Sequence, residues 1–215
     1  MRLYLATGNE HKARELEELI KKSHLNMEIL TAESVGGMPF VDECEPNFTG
    51  NAFRKALALK SKVPPDAWVM ADDSGLKVNA LNGAPGVKSA RYAGENATDE
   101  DNRKKLLHDL WGKTGKERRA SFHCCLLLIA PNEERHLFMG SCGGEIATSE
   151  RGDKGFGYDP VFIPTGYKET FAELGDPVKS KISHRARALE EFITFVLERE
   201  RRIAENEGDN PSSGG

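Results

Sequence analysis

The stretch Trp68-Val69-Met70-Ala71-Asp72-Asp73-Ser74-Gly75-Leu76 decides how this chain is organised. Its four leading apolar residues predict a buried strand, and the acidic pair then brings negative charge to the edge of a core. Carboxylates in such a place commonly bind a cation or activate water. Asp, Ser and Gly also form turns, so the same residues fit an ordinary strand-ending turn before a second strand over 76–80.

The composition is that of an ordinary globular enzyme. The 215 residues are 38% hydrophobic and 30% charged, enough to bury one large core or two closely packed lobes. A formal net charge of -4 provides no general basic surface, so a small phosphate compound is favoured over nucleic acid as the partner. The four cysteines have no CxxC spacing, and no apolar run is long enough for a signal peptide or a membrane span. We therefore expect a cytoplasmic protein with reduced cysteines and no membrane partner.

Strand and helix patterns alternate irregularly along the chain. Strands are predicted over 3–6, 27–30, 68–71, 76–80, 120–130 and 137–142. Helices are predicted over 10–22, over 51–62, after a capping box at Thr98 and Asp101, and over 184–205 behind Ser183 as N-cap. Helical patterns that fall among strands predict an α/β fold, with a long mixed central β-sheet and helices on its faces. Residues 1–205 would form a single domain, and the polar tail 206–215 would be disordered because it has nothing to bury.

The first of four polar clusters is Thr7-Gly8-Asn9-Glu10-His11-Lys12, which joins a strand to a helix. Such a junction points free backbone N–H groups and the positive end of the helix dipole at an anion. Lys12 would add a point charge for phosphate. The glycine spacing matches no phosphate-loop motif, so an ordinary Asn-capped helix start explains it equally well.

Two further clusters lie in predicted loops. Glu43 and Glu45 form an acidic loop, which by itself is typical of a solvated charge run. In Gly155-Phe156-Gly157-Tyr158-Asp159-Pro160 the glycines would let the backbone approach a ligand, and the aromatic rings offer stacking surface. A strand with packed aromatic side chains is the alternative.

The fourth cluster, Lys179-Ser180-Lys181-Ile182-Ser183-His184-Arg185, places basic residues at or just before the start of the last helix. Positive charge there opposes the helix dipole, and an anionic ligand would remove the penalty. A local conflict of this kind indicates a functional site.

Five motifs, in this order, resemble the inosine/xanthosine triphosphate pyrophosphatase family over about residues 3–197. They are Ala6-Thr7-Gly8-Asn9 with Lys12, Ala71-Asp72-Asp73-Ser74-Gly75-Leu76, Gly83-Ala84-Pro85-Gly86 with Ser89-Ala90-Arg91-Tyr92, Gly155-Phe156-Gly157-Tyr158-Asp159-Pro160, and Ile182-Ser183-His184-Arg185. The resemblance implies Mg²⁺-dependent hydrolysis of the triphosphates of inosine (ITP), deoxyinosine (dITP) and xanthosine (XTP) to the monophosphate and pyrophosphate, which removes deaminated purines from the nucleotide pool. It also implies a homodimer whose protomers have two lobes, with the active site in the cleft between them.

The resemblance also implies residue roles. Asp73 is the catalytic carboxylate and a metal ligand, and Glu43 is the second ligand, with Glu45 as the alternative. Since successive strand residues face opposite sides of a sheet, Asp72 is expected to support the site from the other face. The implied triphosphate contacts are Thr7, Gly8, Asn9, Glu10, His11, Lys12, Ser74 and Lys179. The implied base contacts are Phe156, Gly157, Tyr158, Asp159, His184 and Arg185.

The base itself suggests how substrates are told apart. Hypoxanthine and xanthine carry a 6-carbonyl where adenine carries an amino group, so a donor such as Arg185 would accept them and reject adenine. Guanine shares the 6-carbonyl, and its exclusion is not assigned to a residue. Two alternatives remain at this point, namely a house-cleaning pyrophosphatase for other modified nucleotides and a non-catalytic nucleotide-binding module.

Overall fold

A mixed sheet organises the chain in the computed structural model, which describes residues 1–208. Its strands are β1 (Arg2–Ala6), β2 (Glu28–Thr31), β3 (Trp68–Val78), β4 (Arg119–Ile129), β5 (Arg135–Ile146) and β6 (Phe162–Pro164). The order across the sheet is β2-β1-β3-β4-β5-β6. β1 pairs in parallel with β2 and β3, whereas the β3–β4, β4–β5 and β5–β6 pairs are antiparallel. The predicted α/β class with a long mixed sheet is confirmed.

Within residues 1–208, six α-helices cover the sheet and its ends. They are α1 (Glu10–Lys22), α2 (Phe48–Lys60), α3 (Asp99–Asp109), α4 (Phe171–Leu174), α5 (Asp176–Ile182) and α6 (His184–Gly208). The predicted capping box at the start of α3 is present, because Thr98 and Asp101 each accept a hydrogen bond from the other's backbone N–H. β6, α4 and α5 are too short to leave a periodic pattern in the sequence.

The acidic stretch does not end a strand. Residues 72–75 lie in the middle of β3, where Asp72 pairs with Leu126 and Asp73 with Cys125 of β4 in an unbroken ladder. The expected turn between two short strands is therefore wrong. Continuous pairing with β4 satisfies the backbone of this stretch, and cations from other elements balance its two charges.

The long central strands carry two lobes. At one end of the strands, α1 and α6 bury apolar side chains on one face of the sheet, and α2 does so on the other. At the other end, Leu76 of β3 and Phe122 of β4 belong to a separate core that includes residues of α3, α4 and β6. The acidic stretch lies where these cores meet, which places it at the junction of the lobes.

The last helix lies close against β5 because Gly140 has no side chain. A Cβ at this position would collide with the backbone carbonyl of His184. Ser183 caps α6 as predicted, since its Oγ accepts the N–H of Ala186 at 3.1 Å. Phe192 of this helix is buried, whereas Leu197 is 52% exposed. α6 extends past the expected end at 205 to Gly208, and the rest of the predicted disordered tail, 209–215, lies outside the described residues.

No helix within residues 1–208 is both long enough and apolar enough to cross a membrane. The four cysteines are free thiols.

Candidate active site

Asp72 lies at the centre of a buried ion network on one face of β3. Its Oδ1 accepts hydrogen bonds from Lys12 Nζ at 2.8 Å and from Ser74 Oγ at 2.9 Å, and its Oδ2 accepts from Arg185 Nε at 2.8 Å. Burial would raise the pKa of this carboxyl, but Arg185 and Lys12 hold it well below its usual range. Asp72 is therefore ionised, and it orients two of the predicted ligand-binding cations.

Glu15 extends this network, although the sequence analysis missed it. Its carboxylate contacts Arg185 NH1, and its Oε1 accepts from Lys179 Nζ at 2.6 Å. Burial would raise the pKa of Glu15, but the two cations lower it. Glu15 follows Lys12 by three positions and so lies on the same side of α1, which is the signal that could have found it.

A pocket opens beside this network at the junction of the lobes. Ten residues predicted from the sequence line it: Asn9, Lys12, Ser74, Phe156, Gly157, Tyr158, Asp159, Lys179, His184 and Arg185. The structure therefore brings together clusters that are up to 176 positions apart in sequence, since Asn9 and Arg185 line the same cavity.

The first polar cluster, residues 7–12, forms the N-capped start of α1. Asn9 Oδ1 accepts the N–H of Lys12 at 3.1 Å, and Thr7 Oγ1 accepts the N–H of Asn9 at 3.1 Å. Only Asn9 and Lys12 of this cluster line the pocket, whereas Thr7, Gly8, Glu10 and His11 are not among its lining residues. The His11 ring stacks on Phe156, with ring centroids 5.1 Å apart.

The loop 155–158 closes one side of the pocket. Gly155 and Gly157 have positive φ values of 76° and 60°, and a Cβ on Gly155 would collide with the Asp159 carboxylate. Asp159 Oδ2 accepts from the N–H of Phe156 at 2.9 Å and from Lys179 Nζ at 2.6 Å. The Lys179 ammonium lies 4.4 Å from the centroid of the Phe156 ring. Phe156 is therefore among the residues that line the cavity.

His184 is a buried and neutral imidazole at the base of the pocket. Its ring stacks on Phe122 with centroids 4.7 Å apart, and its Nδ1 has no hydrogen-bond partner within residues 1–208. Burial, reinforced by the charge of Arg185, holds the pKa of His184 well below its usual value. A buried nitrogen without a partner in a pocket wall is suited to bind a ligand.

On the opposite face of β3, Asp73 contacts Lys55 of α2. The Lys55 ammonium lies 2.7 Å from Asp73 Oδ1 and 3.3 Å from Glu43 Oε2. Burial raises the pKa of Asp73 to about 6, with Lys55 opposing this shift and Glu43 adding to it. Burial would lower the pKa of Lys55, but the two carboxylates raise it. The sequence analysis missed Lys55, which lies three positions after the buried Ala52 on the inward side of α2.

The chemistry of Asp73 and Glu43 suits a magnesium ion. Asp73 Oδ2 is buried without a hydrogen-bond partner within residues 1–208, so it is free to bind a cation. Mg²⁺ is commonly held by one or two carboxylates together with water and phosphate oxygens. Within the same residues there is no group of three or more potential metal-ligating side chains. Glu45 points elsewhere, since its Oε1 accepts from Arg54 Nε at 2.6 Å.

Comparison with known proteins identifies the family. The model described as Ham1 family matches residues 3–195. The chain belongs to the Ham1 family. This confirms the resemblance carried by the five sequence motifs.

Relatives and structures in the Ham1 family match nearly the whole chain. A dITP/XTP pyrophosphatase of Opitutus terrae is 46% identical over 192 residues, covering 87% of this chain and 95% of the relative. One from Clostridium perfringens is 43% identical, covering 87% and 93%. The Ham1 protein of Staphylococcus aureus superposes with a TM-score of 0.80 at 36% identity, covering 93% of this chain and 100% of that one. A HAM1 protein of Coxiella burnetii gives a TM-score of 0.81 at 38% identity, covering 92% and 99%.

Proposed function

We propose that this chain hydrolyses ITP, dITP and XTP to the nucleoside monophosphate and pyrophosphate in a Mg²⁺-dependent reaction. The observation that carries the proposal is the position of two carboxylates and Lys55 directly across β3 from a cation-lined pocket with an aromatic wall. The relatives' shared name, dITP/XTP pyrophosphatase, supports it.

The pocket would hold the base. Phe156 offers a stacking surface, and the free Nδ1 of His184 and the guanidinium of Arg185 offer polar contacts. Arg185 donates to a base carbonyl and cannot accept from an amino group, so the 6-carbonyl of hypoxanthine or xanthine fits where the amino group of adenine does not. Discrimination therefore depends on Arg185 being held in one orientation by Asp72 and Glu15.

The triphosphate would run from the pocket toward Asp73. Lys12 lines the pocket on one face of β3 and Lys55 lies on the other, so each ammonium group would contact the triphosphate from its own side of the strand. Asp73 would accept the proton of the attacking water with one of its two carboxylate oxygens, which leaves the other for the metal. Bound Mg²⁺ supplies neutralisation of the charge on the phosphate oxygens. Asp73 and Glu43 would hold it.

We further propose a homodimer in the cytoplasm, with no nucleic-acid partner. Leu137 and Met139 of β5 are exposed on the face of the sheet that α2 covers at β3 and β4, and Leu57 of α2 is exposed as well. Such an uncovered apolar surface fits a second copy of the chain. Light scattering should then give about twice the 23.7 kDa chain mass.

A substrate panel tests the reaction. ITP, dITP, XTP, GTP, ATP and a modified pyrimidine triphosphate are incubated with and without Mg²⁺, and nucleotide and phosphorus products are resolved by chromatography. We expect monophosphate and pyrophosphate from the first three alone. Preferred turnover of the modified pyrimidine would favour the broader house-cleaning enzyme, and saturable binding without turnover would favour a binding module.

The substitution Asp73→Asn tests the proposed catalytic role of Asp73. We expect it to lose at least about 100-fold in turnover, the scale of a lost acid–base group. Asp66→Asn serves as the control, since this exposed carboxylate pairs only with Arg2 on the surface. Full activity of Asp73→Asn would remove Asp73 from the mechanism.

A further inference from the structure

Helix α3 binds both backbone polar groups of Gly157. The N–H of Gly157 donates to Asp99 Oδ2 at 2.7 Å, and its carbonyl oxygen accepts from Arg103 NH1 at 2.9 Å. Asp99 and Arg103 are four residues apart, so they project from the same side of the helix. One face of α3 therefore fixes a single peptide residue in the wall of the pocket.

Both side chains are themselves held in place. The capping box of Thr98 and Asp101 fixes the first helical turn, in which Asp99 lies. Arg103 Nε lies 3.0 Å from Glu150 Oε2 in an ion pair that does not have hydrogen-bond geometry, and the Arg103 side chain is 14% exposed. The capped helical turn therefore supports the backbone at Asp99, and the ion pair with Glu150 supports the mostly buried Arg103 side chain.

The other residues of the loop are fixed in different ways. The N–H of Phe156 donates to Asp159, and the Tyr158 hydroxyl donates to the carbonyl of Ser89 at 2.8 Å. Gly157 has no side chain and adopts a positive φ of 60°, so only its backbone can attach it to the rest of the protein. The two α3 contacts supply that attachment next to the Phe156 ring.

We propose that Asp99 and Arg103 are positioning residues for the base, acting through Gly157 to hold the Phe156 ring over the pocket. The proposal rests on the proposed function of this pocket. Without either contact the loop samples other conformations, and part of the binding energy of the base is spent on ordering it. Lys12 and Lys55, the proposed phosphate contacts on the two faces of β3, lie outside this loop, so phosphate binding should be unaffected.

Variants of Asp99 and Arg103 test the proposal against a matched pair on the same helix. Glu100 and Lys104 are the neighbouring i,i+4 ion pair, and both side chains are more than half exposed. We expect Asp99→Ala and Arg103→Ala to raise the KM for ITP about tenfold, equivalent to about 1.4 kcal/mol, with kcat within about threefold of the wild type. Glu100→Ala and Lys104→Ala should leave both constants unchanged.

Two readouts separate positioning from a general loss of structure. Inorganic tripolyphosphate, used as a competitive inhibitor, does not reach the base wall, so its inhibition constant should stay within about twofold in all variants. Asp99→Asn keeps an oxygen that can accept from Gly157, so it should restore most of the KM lost in Asp99→Ala. Equal rises in the KM for ITP and in the inhibition constant of tripolyphosphate would overturn the proposal. A rise in KM in the Asp99 variants with no rise in Arg103→Ala would also overturn it.

Hydrogen exchange of the Gly157 amide tests the contact without any nucleotide. Asp99→Ala should speed this exchange at least tenfold, and Glu100→Ala should not. Unchanged exchange in Asp99→Ala refutes the positioning role. Absence of ITP hydrolysis by the wild type, in contrast, would refute the proposed function. The exchange rate of the Gly157 amide would still show whether α3 holds the loop.

Discussion

The Lys55 ammonium and the Asp73 carboxylate are 2.7 Å apart, and both side chains are almost completely buried. Lys55 also contacts Glu43, so one cation lies between two carboxylates at the proposed metal site. In the proposed substrate complex, this ammonium would exchange a carboxylate contact for a phosphate oxygen.

Replacement of Lys55 by Met should therefore lower kcat/KM for ITP by about 10- to 100-fold, the range of one charged hydrogen bond. Arg54→Met is the control, because Arg54 is exposed on the same helix and pairs with Glu45. Steady-state kinetics measures both. Equal effects of the two substitutions would mean that Lys55 acts only through the general charge of α2.

The two acidic-loop residues can be distinguished by their magnesium requirement. Glu43→Gln should raise the Mg²⁺ concentration for half-maximal activity at least tenfold, because Glu43 is one of only two proposed protein ligands. Glu45→Gln removes the partner of Arg54 and should leave this concentration unchanged. The reverse result would assign the metal to Glu45.

Asp72→Asn should lower the stability of the fold more than it weakens Mg²⁺ binding. It leaves Arg185 and Lys12 buried or half-buried without their shared anion, and breaking a buried ion pair costs about 3–5 kcal/mol. Urea denaturation gives the free energy of unfolding. Asp66→Asn, on the surface, should cause no resolvable change. A fully stable Asp72→Asn protein would show that Glu15 balances Arg185 without Asp72 and that Lys12 needs no buried anion.

His184 predicts a pH dependence of stability. Its pKa is lowered in the folded protein, so below pH 6.5 the unfolded chain binds a proton that the native protein does not. The contribution of His184 to the free energy of unfolding is therefore fully present above about pH 6.5. Below that pH the contribution falls, by up to about 1.4 kcal/mol per pH unit. The charged groups that act on His184 are Arg185, Asp72, Lys179 and Lys12.

The substitution His184→Phe removes this titrating group and retains a ring to stack on Phe122. Denaturation curves at pH 5, 6, 7 and 8 should show a shallower decline below pH 6.5 than in the wild type. His108→Gln, at an exposed site on α3, should keep the wild-type slope. Parallel slopes in all three proteins would exclude His184 as the source.

The sequence predicted the site through motifs and strand alternation, and it failed where charge is balanced at long range. Alternation correctly placed Asp72 and Asp73 on opposite faces of β3. Turn-forming residue types suggested that β3 ends at the acidic pair, because the cations that stabilise Asp72 in mid-strand are 60 and 113 positions away. Lys55 was missed for the same reason, since no local pattern distinguishes a buried lysine on an amphipathic helix from a solvated one.

The pairing of Asp72 with Leu126 and of Asp73 with Cys125 constrains how this protein can change its length. A shift of one residue in the register of β3 exchanges the two faces of the strand. Such a shift would place Asp73 beside Arg185, and Lys55 would then face a residue other than Asp73. A single insertion or deletion between 68 and 78 should thus inactivate the enzyme even where apolar packing recovers. Changes of length should instead be tolerated in connections such as 131–134, which can grow or shrink without moving the two carboxylates.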